Sequence, residues 1–207
     1  MTFDSKPDFY TAWNREYLIF LKNKYDEIIL ANEDIDFLSK VGLPKHVNSL
    51  EIEFNLDNVE VYSSNFDNTQ NISLPKYEKL YKIGCFDNFG NGIAVQESNR
   101  SVYIIFSHGD SSSELIERGD YFNLNIICFA KCLNIYEEFF KKHQDSNVEC
   151  KSKDEKHKIM DDLESSLKAI DSTIISSQSR IMEYDNFWAY VIEDWYHELD
   201  LCFVDRR

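Results

Sequence analysis

The sequence predicts an α+β fold in which a single antiparallel sheet of about five to six strands is flanked by N-terminal and C-terminal helices. A short amphipathic pattern stops at Gly42-Leu43-Pro44, as a helix does when it ends. Apolar runs with strand periodicity then fill residues 48–107, with connections too short for crossover helices. From residue 125 onward, apolar residues recur every three or four positions, which is typical of helices. Strands followed by helices indicate the α+β class.

The N-terminal region predicts two helices. Large apolar residues recur at helical spacing from about residue 8 to residue 30, and they are Phe9, Trp13, Tyr17, Leu21, Tyr25 and Ile28. Asn32 or Asp34 caps a second, shorter helix. That helix ends at Gly42, because glycine accepts the left-handed backbone that closes many helices, and Pro44 prevents the helix from resuming.

The strand region predicts a meander. Ile52 and Phe54 alternate with two glutamates, which gives one buried and one acidic face. Val59 and Val61 suggest a partner for this strand across a turn at residues 55–58. Further strands follow near residues 80–85 and 93–95, and Val102–Phe106 is apolar on both faces, which is typical of a central strand.

The C-terminal region predicts three helices. We expect them to belong to a single domain that spans residues 1–207. Asn125 caps the first of them. The polar residues 143–157 form a flexible internal linker. A narrow apolar stripe from Met160 to Ile181 predicts a long helix that covers the sheet or, alternatively, forms a dimer seam. A final helix carries Phe187 to Trp195, so that residues 158–200 form C-terminal helices on or beside the sheet.

The chain is strongly acidic, with 37 Asp and Glu residues against 22 Lys and Arg residues and a net charge of −15. Such a charge repels phosphate backbones and anionic lipids, so we expect neither nucleic acid nor membranes as partners. It favours a basic protein partner, although a solubility role alone is the alternative. The N-terminus has no signal-peptide pattern, and the five cysteines are irregularly spaced, so we expect a cytoplasmic protein with reduced thiols.

Three short motifs are better explained as structural features than as catalytic, cofactor-binding or metal-binding sites. Gly90-x-Gly92 is too short for a dinucleotide fingerprint and indicates a turn. Ser107-His108-Gly109-Asp110 resembles an acid–base pair but lacks a third group, so it indicates a strand end. Cys128 and Cys132 lie one helical turn apart without further metal ligands at readable spacing, which favours buried thiols. We therefore expect no catalytic site, no metal and no cofactor.

One constellation stands out, and it is acidic. It comprises Glu51, Glu53, Asp57, Glu60, Asp87, Glu97, Asp110, Glu114, Glu117 and Asp120. Its ordinary interpretation is a solvated face, and the alternative is a docking surface for a basic protein. Turns at strand ends present contacts on a rigid support, so the predicted partner-binding residues are Asp87, Glu97, Asp110, Glu114, Glu117 and Asp120.

Three blocks of the sequence resemble the SUKH superfamily, in particular its fourth immunity subfamily. They are the helix end from Phe37 to Pro44, the strands from Ile83 through Val95 to Val102-Tyr103, and Tyr121-Phe122-Asn123 ahead of Phe129. Phe187-Trp188 also resembles the tail of that subfamily. The chain departs from the pattern where Leu124-Asn125 replaces small hydroxyl residues, and where Asn99-Arg100 replaces a glycine before the Val-Tyr strand.

The resemblance implies an immunity protein of a polymorphic toxin system, a kind of toxin–antitoxin pair. Such a protein is a cytoplasmic toxin inhibitor that acts by protein–protein interaction, without catalysis. Its cognate toxin is typically a basic nuclease or nucleic-acid deaminase, and the inhibitor is a monomer or a weak homodimer. Two alternatives remain open. One is a regulatory or scaffold protein of the same fold, and the other is an enzyme with a site around Asp87, His108 and Asp110.

Overall fold

The computed structural model describes residues 9–22, 30–63, 79–86, 91–107, 116–144, 151–174 and 186–199. These residues form nine strands and four α-helices, and the class is α+β with an antiparallel sheet, as predicted. The strands are β1 (Leu18–Ile19), β2 (Leu43–Pro44), β3 (His46–Val47), β4 (Ile52–Phe54), β5 (Glu60–Ser63), β6 (Lys79–Phe86), β7 (Asn91–Gln96), β8 (Val102–Ser107) and β9 (Ile116–Asn123). The helices are α1 (Asn32–Lys40), α2 (Ile126–His143), α3 (Lys153–Ile170) and α4 (Phe187–Glu198).

The main sheet has seven strands, which is more than the five to six predicted. Its order is β3-β4-β6-β7-β8-β9, with β5 also paired to β6, and β1 and β2 form a separate pair. The prediction stopped at residue 107 and missed β9, because Ile116–Asn123 is mostly polar and lacks the apolar alternation of a strand. Antiparallel pairing with β8 nevertheless satisfies the backbone of β9.

The predicted hairpin between β4 and β5 is wrong, although the turn itself forms. The Asn55 side chain accepts hydrogen bonds from the backbone N–H groups of Asp57 and Asn58, which closes the turn. β5 then pairs with residues 79–82 of β6, whereas β4 pairs with residues 84–86 of the same strand. The eight residues of β6 are long enough to hold both short strands end to end.

The central part of the sheet agrees with the sequence. β6, β7 and β8 form the predicted meander, and β8 lies between β7 and β9. Ile104 faces the main core, whereas Tyr103 and Ile105 belong to a smaller cluster with Leu80 and Ala94. Both faces of β8 are therefore apolar, which confirms it as a central strand.

The predicted N-terminal helix over residues 8–30 is wrong for its described part. Residues 9–22 contain one 3-10 turn (Arg15–Tyr17) and strand β1, and residues 23–29 lie outside the described residues. The Asn134 side chain of α2 accepts hydrogen bonds from the backbone N–H groups of Thr11 and Ala12. Because α2 supplies these bonds, the segment does not need helical ones.

Helix α1 ends where the sequence predicts. Gly42 has φ +78°, and its N–H donates to the Phe37 carbonyl as a helix-closing residue does. The helix begins at Asn32, with Ala31 rather than Asn32 or Asp34 at the capping position. Asp34 is instead fully buried.

The C-terminal helices differ from the prediction in their bounds. Asn125 caps α2 by accepting from the Cys128 N–H, as predicted. His143 belongs to α2, and residues 153–157 belong to α3, so only residues 144–152 separate the two helices. Ser152 and Glu155 form a capping box at the start of α3. Residues 145–150 of the predicted linker lie outside the described residues.

Helix α3 is shorter than the predicted helix and packs mainly on helices. It ends at Ile170, because Asp171 is extended and its carboxylate binds the N–H groups of Leu124 and Thr173. Residues 175–185 lie outside the described residues. The buried Met160, Leu163 and Leu167 join the core, and α3 contacts α2 and α4. The described part of the apolar stripe therefore packs on the helical layer.

Aromatic side chains join the helical layer to the sheet. Phe129 of α2 contacts Phe54 and Phe122 with ring centroids 5.8 and 4.5 Å apart. Phe187 of α4 lies 4.1 Å from Phe122 and 5.3 Å from Phe86. Phe122 therefore lies where the last strand, α2 and α4 meet.

Candidate functional site

The six predicted partner-binding residues fall into three groups. Asp87, Asp110 and Glu114 lie outside the described residues. Glu117 and Asp120 lie on β9, and the pairing of β9 with β8 places Asp120 opposite the buried Ile104. Glu97 lies in the turn between β7 and β8, half-buried, and its Oε1 accepts a hydrogen bond of 2.9 Å from the Tyr81 hydroxyl.

The strand register does not bring Glu97 and Glu117 together. The turn that holds Glu97 leads into Val102, which pairs with Asn123 at the C-terminal end of β9. Glu117 lies near the opposite end of β9, beside Ile116, which pairs with Ser107. Five residue steps along β8 correspond to about 16 Å. The two residues therefore do not lie next to each other on the sheet.

The acidic residues at the β4 and β5 edge are exposed but have basic neighbours. Asp57 lies 3.4 Å from the Lys22 Nζ, and Glu60 lies 3.5 Å from the Lys82 Nζ. Glu53 lies 3.9 Å from His46 Nδ1 across the strand pair. The hydrogen bond from Tyr62, together with Lys82, lowers the pKa of Glu60. This edge is therefore close to charge-balanced, and its carboxylates do not form an uncompensated acidic patch.

Two grooves of about 500 Å³ each flank the segment that leads into β3. Lys45 lines both grooves. The first groove also contains Glu53 and Asp57, and the second contains Tyr17 and Glu137. Each groove is lined by two carboxylates and two lysines, so neither groove has an excess of one charge among these residues.

A buried polar cluster lies where the third block of the SUKH resemblance meets the C-terminal helices. Asn123 accepts from the Trp188 indole N–H at 2.9 Å and donates to the Asp171 Oδ2 at 3.2 Å. Asp171 Oδ2 also accepts from the Leu124 N–H at 2.7 Å, and its Oδ1 accepts from Thr173. These bonds connect the C-terminal end of β9 with the residues that follow α3 and with α4. The cluster is internally satisfied, so its arrangement serves the fold.

The two helical cysteines are free thiols. Cys132 is fully buried, as predicted, and Cys128 is half-buried. Burial raises the pKa of both thiols, and Asp171 raises it further. Across the described ranges, no three His, Cys, Asp or Glu side chains are arranged to hold a metal ion. His108, which with Asp87 and Asp110 made up the alternative catalytic set, lies outside the described residues.

No helix among the described residues is long and apolar enough to cross a membrane. Comparison of the chain with protein-family profiles, with curated proteins and with solved structures gave no match in any of the three.

Proposed function

We propose that this chain is an immunity protein of the SUKH kind that binds and neutralises a basic toxin without catalysis. The observation that carries the proposal is the charge imbalance of 37 acidic against 22 basic residues. The charge imbalance favours a basic partner, and the three sequence blocks that resemble the superfamily suggest that this partner is a toxin.

Electrostatic complementarity explains how such a protein would act. Enzymes that cut or deaminate nucleic acids need positive charge where they bind phosphates. An acidic protein competes for that surface and is attracted to it over long range, which speeds association. Inhibition then requires only a rigid surface that fits the toxin, and no reacting group.

Co-expression with the protein encoded by the adjacent upstream gene tests the proposal. Immunity genes typically lie beside the gene of their toxin, so we expect the two proteins to co-purify and the chain to suppress the toxicity of its neighbour. The association rate should fall as salt rises from about 0.05 to about 0.5 M. Added salt shortens the distance over which opposite charges on the two proteins attract each other.

Two other outcomes would contradict the proposal in different ways. A stable complex with a cellular protein, together with no protection against the neighbouring gene product, would indicate a scaffold or regulatory protein. Protection with an association rate that does not depend on salt would retain the immunity function and remove its electrostatic basis.

A further inference from the structure

The N-terminal segment is buried at two anchors and only partly covered between them. Tyr10 and Leu21 are 7% and 8% exposed, whereas no residue from 11 to 20 is buried. The Tyr10 hydroxyl donates a hydrogen bond of 2.8 Å to the Gly42 carbonyl, and the Leu21 N–H donates one of 3.0 Å to the Leu38 carbonyl. These two anchors bracket residues 11–20, which we call the strap.

Hydrogen bonds attach the strap to the rest of the protein at two places. At the first, side chains of α2 bind Thr11 and Ala12, and these side chains are Asn134, Glu138 and Lys141. At the second, the Lys45 N–H donates to the Tyr17 carbonyl at 2.7 Å, and β1 pairs with β2 over two residues. The apolar side chains of the strap that pack against the core are only partly buried, and they are Trp13, Leu18 and Ile19. Segments with so little buried apolar surface are those that open locally while the core stays folded.

Contacts inside the strap join its two attachments. The Tyr17 N–H donates to the Asn14 carbonyl at 3.0 Å and closes the 3-10 turn. The Arg15 guanidinium lies 5.7 Å from the centre of the Phe20 ring, a distance at which a cation is attracted to an aromatic face. These contacts do not involve α2 or β2, so they need not break when the strap leaves either element.

The strap forms a wall of both grooves described above. Residues 18–20 line the first groove and residues 12–14 line the second, and Lys45 lines both. Because the Lys45 backbone holds the strap between the two grooves, lifting the strap joins them into one cleft. It also removes β1 from β2, and an unpaired strand edge is where an extended chain adds to a sheet.

We propose that the strap opens as a unit between its anchors at Tyr10 and Leu21 and thereby controls access to a cleft along β2. The proposal does not rest on the immunity function. One opening event breaks the bonds to Asn134 and the bond from Lys45 together, because the 3-10 turn joins the two attachments. The anchors and the core stay in place, so the rest of the fold persists in the open form.

Hydrogen exchange of the native chain, followed by NMR, tests this proposal. The amides of Thr11, Ala12 and Lys45 should exchange with one common opening free energy. The Leu21 amide at the anchor should exchange at least about tenfold more slowly. Lys45 is the decisive reporter, because its N–H lies outside the strap and is bonded to the Tyr17 carbonyl. The amides of β8, a central strand, report global unfolding.

The variant Asn134→Ala distinguishes a strap that opens as a unit from two independent attachments. The substitution removes the acceptor of the Thr11 and Ala12 N–H groups. A strap that opens as a unit should then also release Lys45, whose amide should exchange at least about fivefold faster. Lys131→Ala, at an exposed position on the same helix, is the control and should change that rate less than about twofold.

Two results would overturn the proposal. Faster exchange of Thr11 and Ala12 with unchanged exchange of Lys45 in Asn134→Ala would show that the two attachments open separately. Exchange of Lys45 at the rate of the β8 amides would show that the strap opens only when the whole protein unfolds. Loss of a native hydrogen bond also speeds global unfolding, so the β8 rates are measured in each variant. A faster Lys45 rate that stays above the β8 rates supports the strap.

Discussion

The Arg100 guanidinium donates two hydrogen bonds to the Asp34 carboxylate, from Nε to Oδ2 at 2.8 Å and from Nη2 to Oδ1 at 2.6 Å. Asp34 lies on α1 and is completely buried, so the pair ties that helix to the turn between β7 and β8. Arg100 has φ +68°, a backbone conformation that favours glycine. The ion pair explains why an arginine occupies this position, because it compensates for the backbone strain. The pKa of Arg100 is raised, chiefly by the hydrogen bonds to Asp34.

Arg100→Gly should destabilise the protein although glycine suits the backbone better. Loss of the guanidinium leaves the buried Asp34 without its cation, which costs about 3–5 kcal/mol, and relief of the left-handed conformation returns about 1 kcal/mol. A free energy of unfolding lower by about 2–4 kcal/mol in urea titrations is therefore expected. Glu33→Gln, at the exposed side of the same network, should cost less than about 1 kcal/mol. Equal losses for both variants would show that Asp34 is not the principal partner.

Gly42→Ala should disrupt the junction between α1 and β2. A Cβ atom at this position would lie 2.3 Å from the Ile19 carbonyl oxygen, and φ +78° disfavours any side chain. The conformational cost and the overlap together amount to about 2–4 kcal/mol. Gly92→Ala is the comparison, because its new Cβ would lie 2.7 Å from Cγ1 and 2.9 Å from Cδ1 of Ile105, and a side chain can move aside more easily than a backbone oxygen. Thermal or urea unfolding that ranks Gly92→Ala as the more harmful change would refute this assignment.

Asn123→Ala should weaken the attachment of α4 and change the surroundings of Trp188. The substitution removes the acceptor of the Trp188 indole N–H and one donor to Asp171, both buried, which costs about 1–3 kcal/mol. Near-ultraviolet circular dichroism should report the altered indole. Asn32→Ala, at an exposed position on α1, should change stability by less than about 0.5 kcal/mol. A tryptophan signal that is unchanged in Asn123→Ala would mean that this bond does not form in solution.

His143 should make the protein less stable at mildly acidic pH. Burial lowers its pKa below the ordinary value of 6.5, and Lys142 and Lys151 add to the effect. The unfolded chain therefore binds more protons than the folded one in the interval below pH 6.5. The contribution of neutral His143 to the free energy of unfolding is therefore fully present above that pH. It is lost as the pH decreases toward the folded-state pKa.

Urea titrations at pH 8 and at pH 5.5 measure this dependence. His143→Gln should show a smaller loss of stability between the two pH values than the unsubstituted chain. His157→Gln, at a position on α3, is the control and should leave the difference unchanged. An identical pH dependence in the chain and in His143→Gln would rule out His143 as the source.

The elements that the sequence predicted correctly are those whose apolar pattern reflects their own burial. β4, β8, α2 and α4 each present a repeat that matches one or two buried faces. The N-terminal segment misled because its aromatic residues also recur at helical spacing. The backbone of this segment instead donates hydrogen bonds to the distant Asn134, and local periodicity contains no record of such bonds.

The candidate surface was less predictable than the fold. Net charge is a property of the composition, whereas the position of a carboxylate depends on strand register and helix packing. Glu97 and Glu117 are only 20 residues apart in the sequence, yet the pairing of β8 and β9 separates them along the strand.

The division of one edge of β6 between β4 and β5 has a consequence for self-association. An uninterrupted strand at the rim of a sheet offers a row of backbone groups to which a strand of another molecule can add, and this is a route to aggregation. Here the rim beside β6 is built from strands of two to four residues, separated by the turn at Asn55. No described strand on that side is long enough to guide the addition of a foreign strand over its usual five or six residues. The broken rim therefore gives a strand of another molecule little to pair with on this side of the sheet.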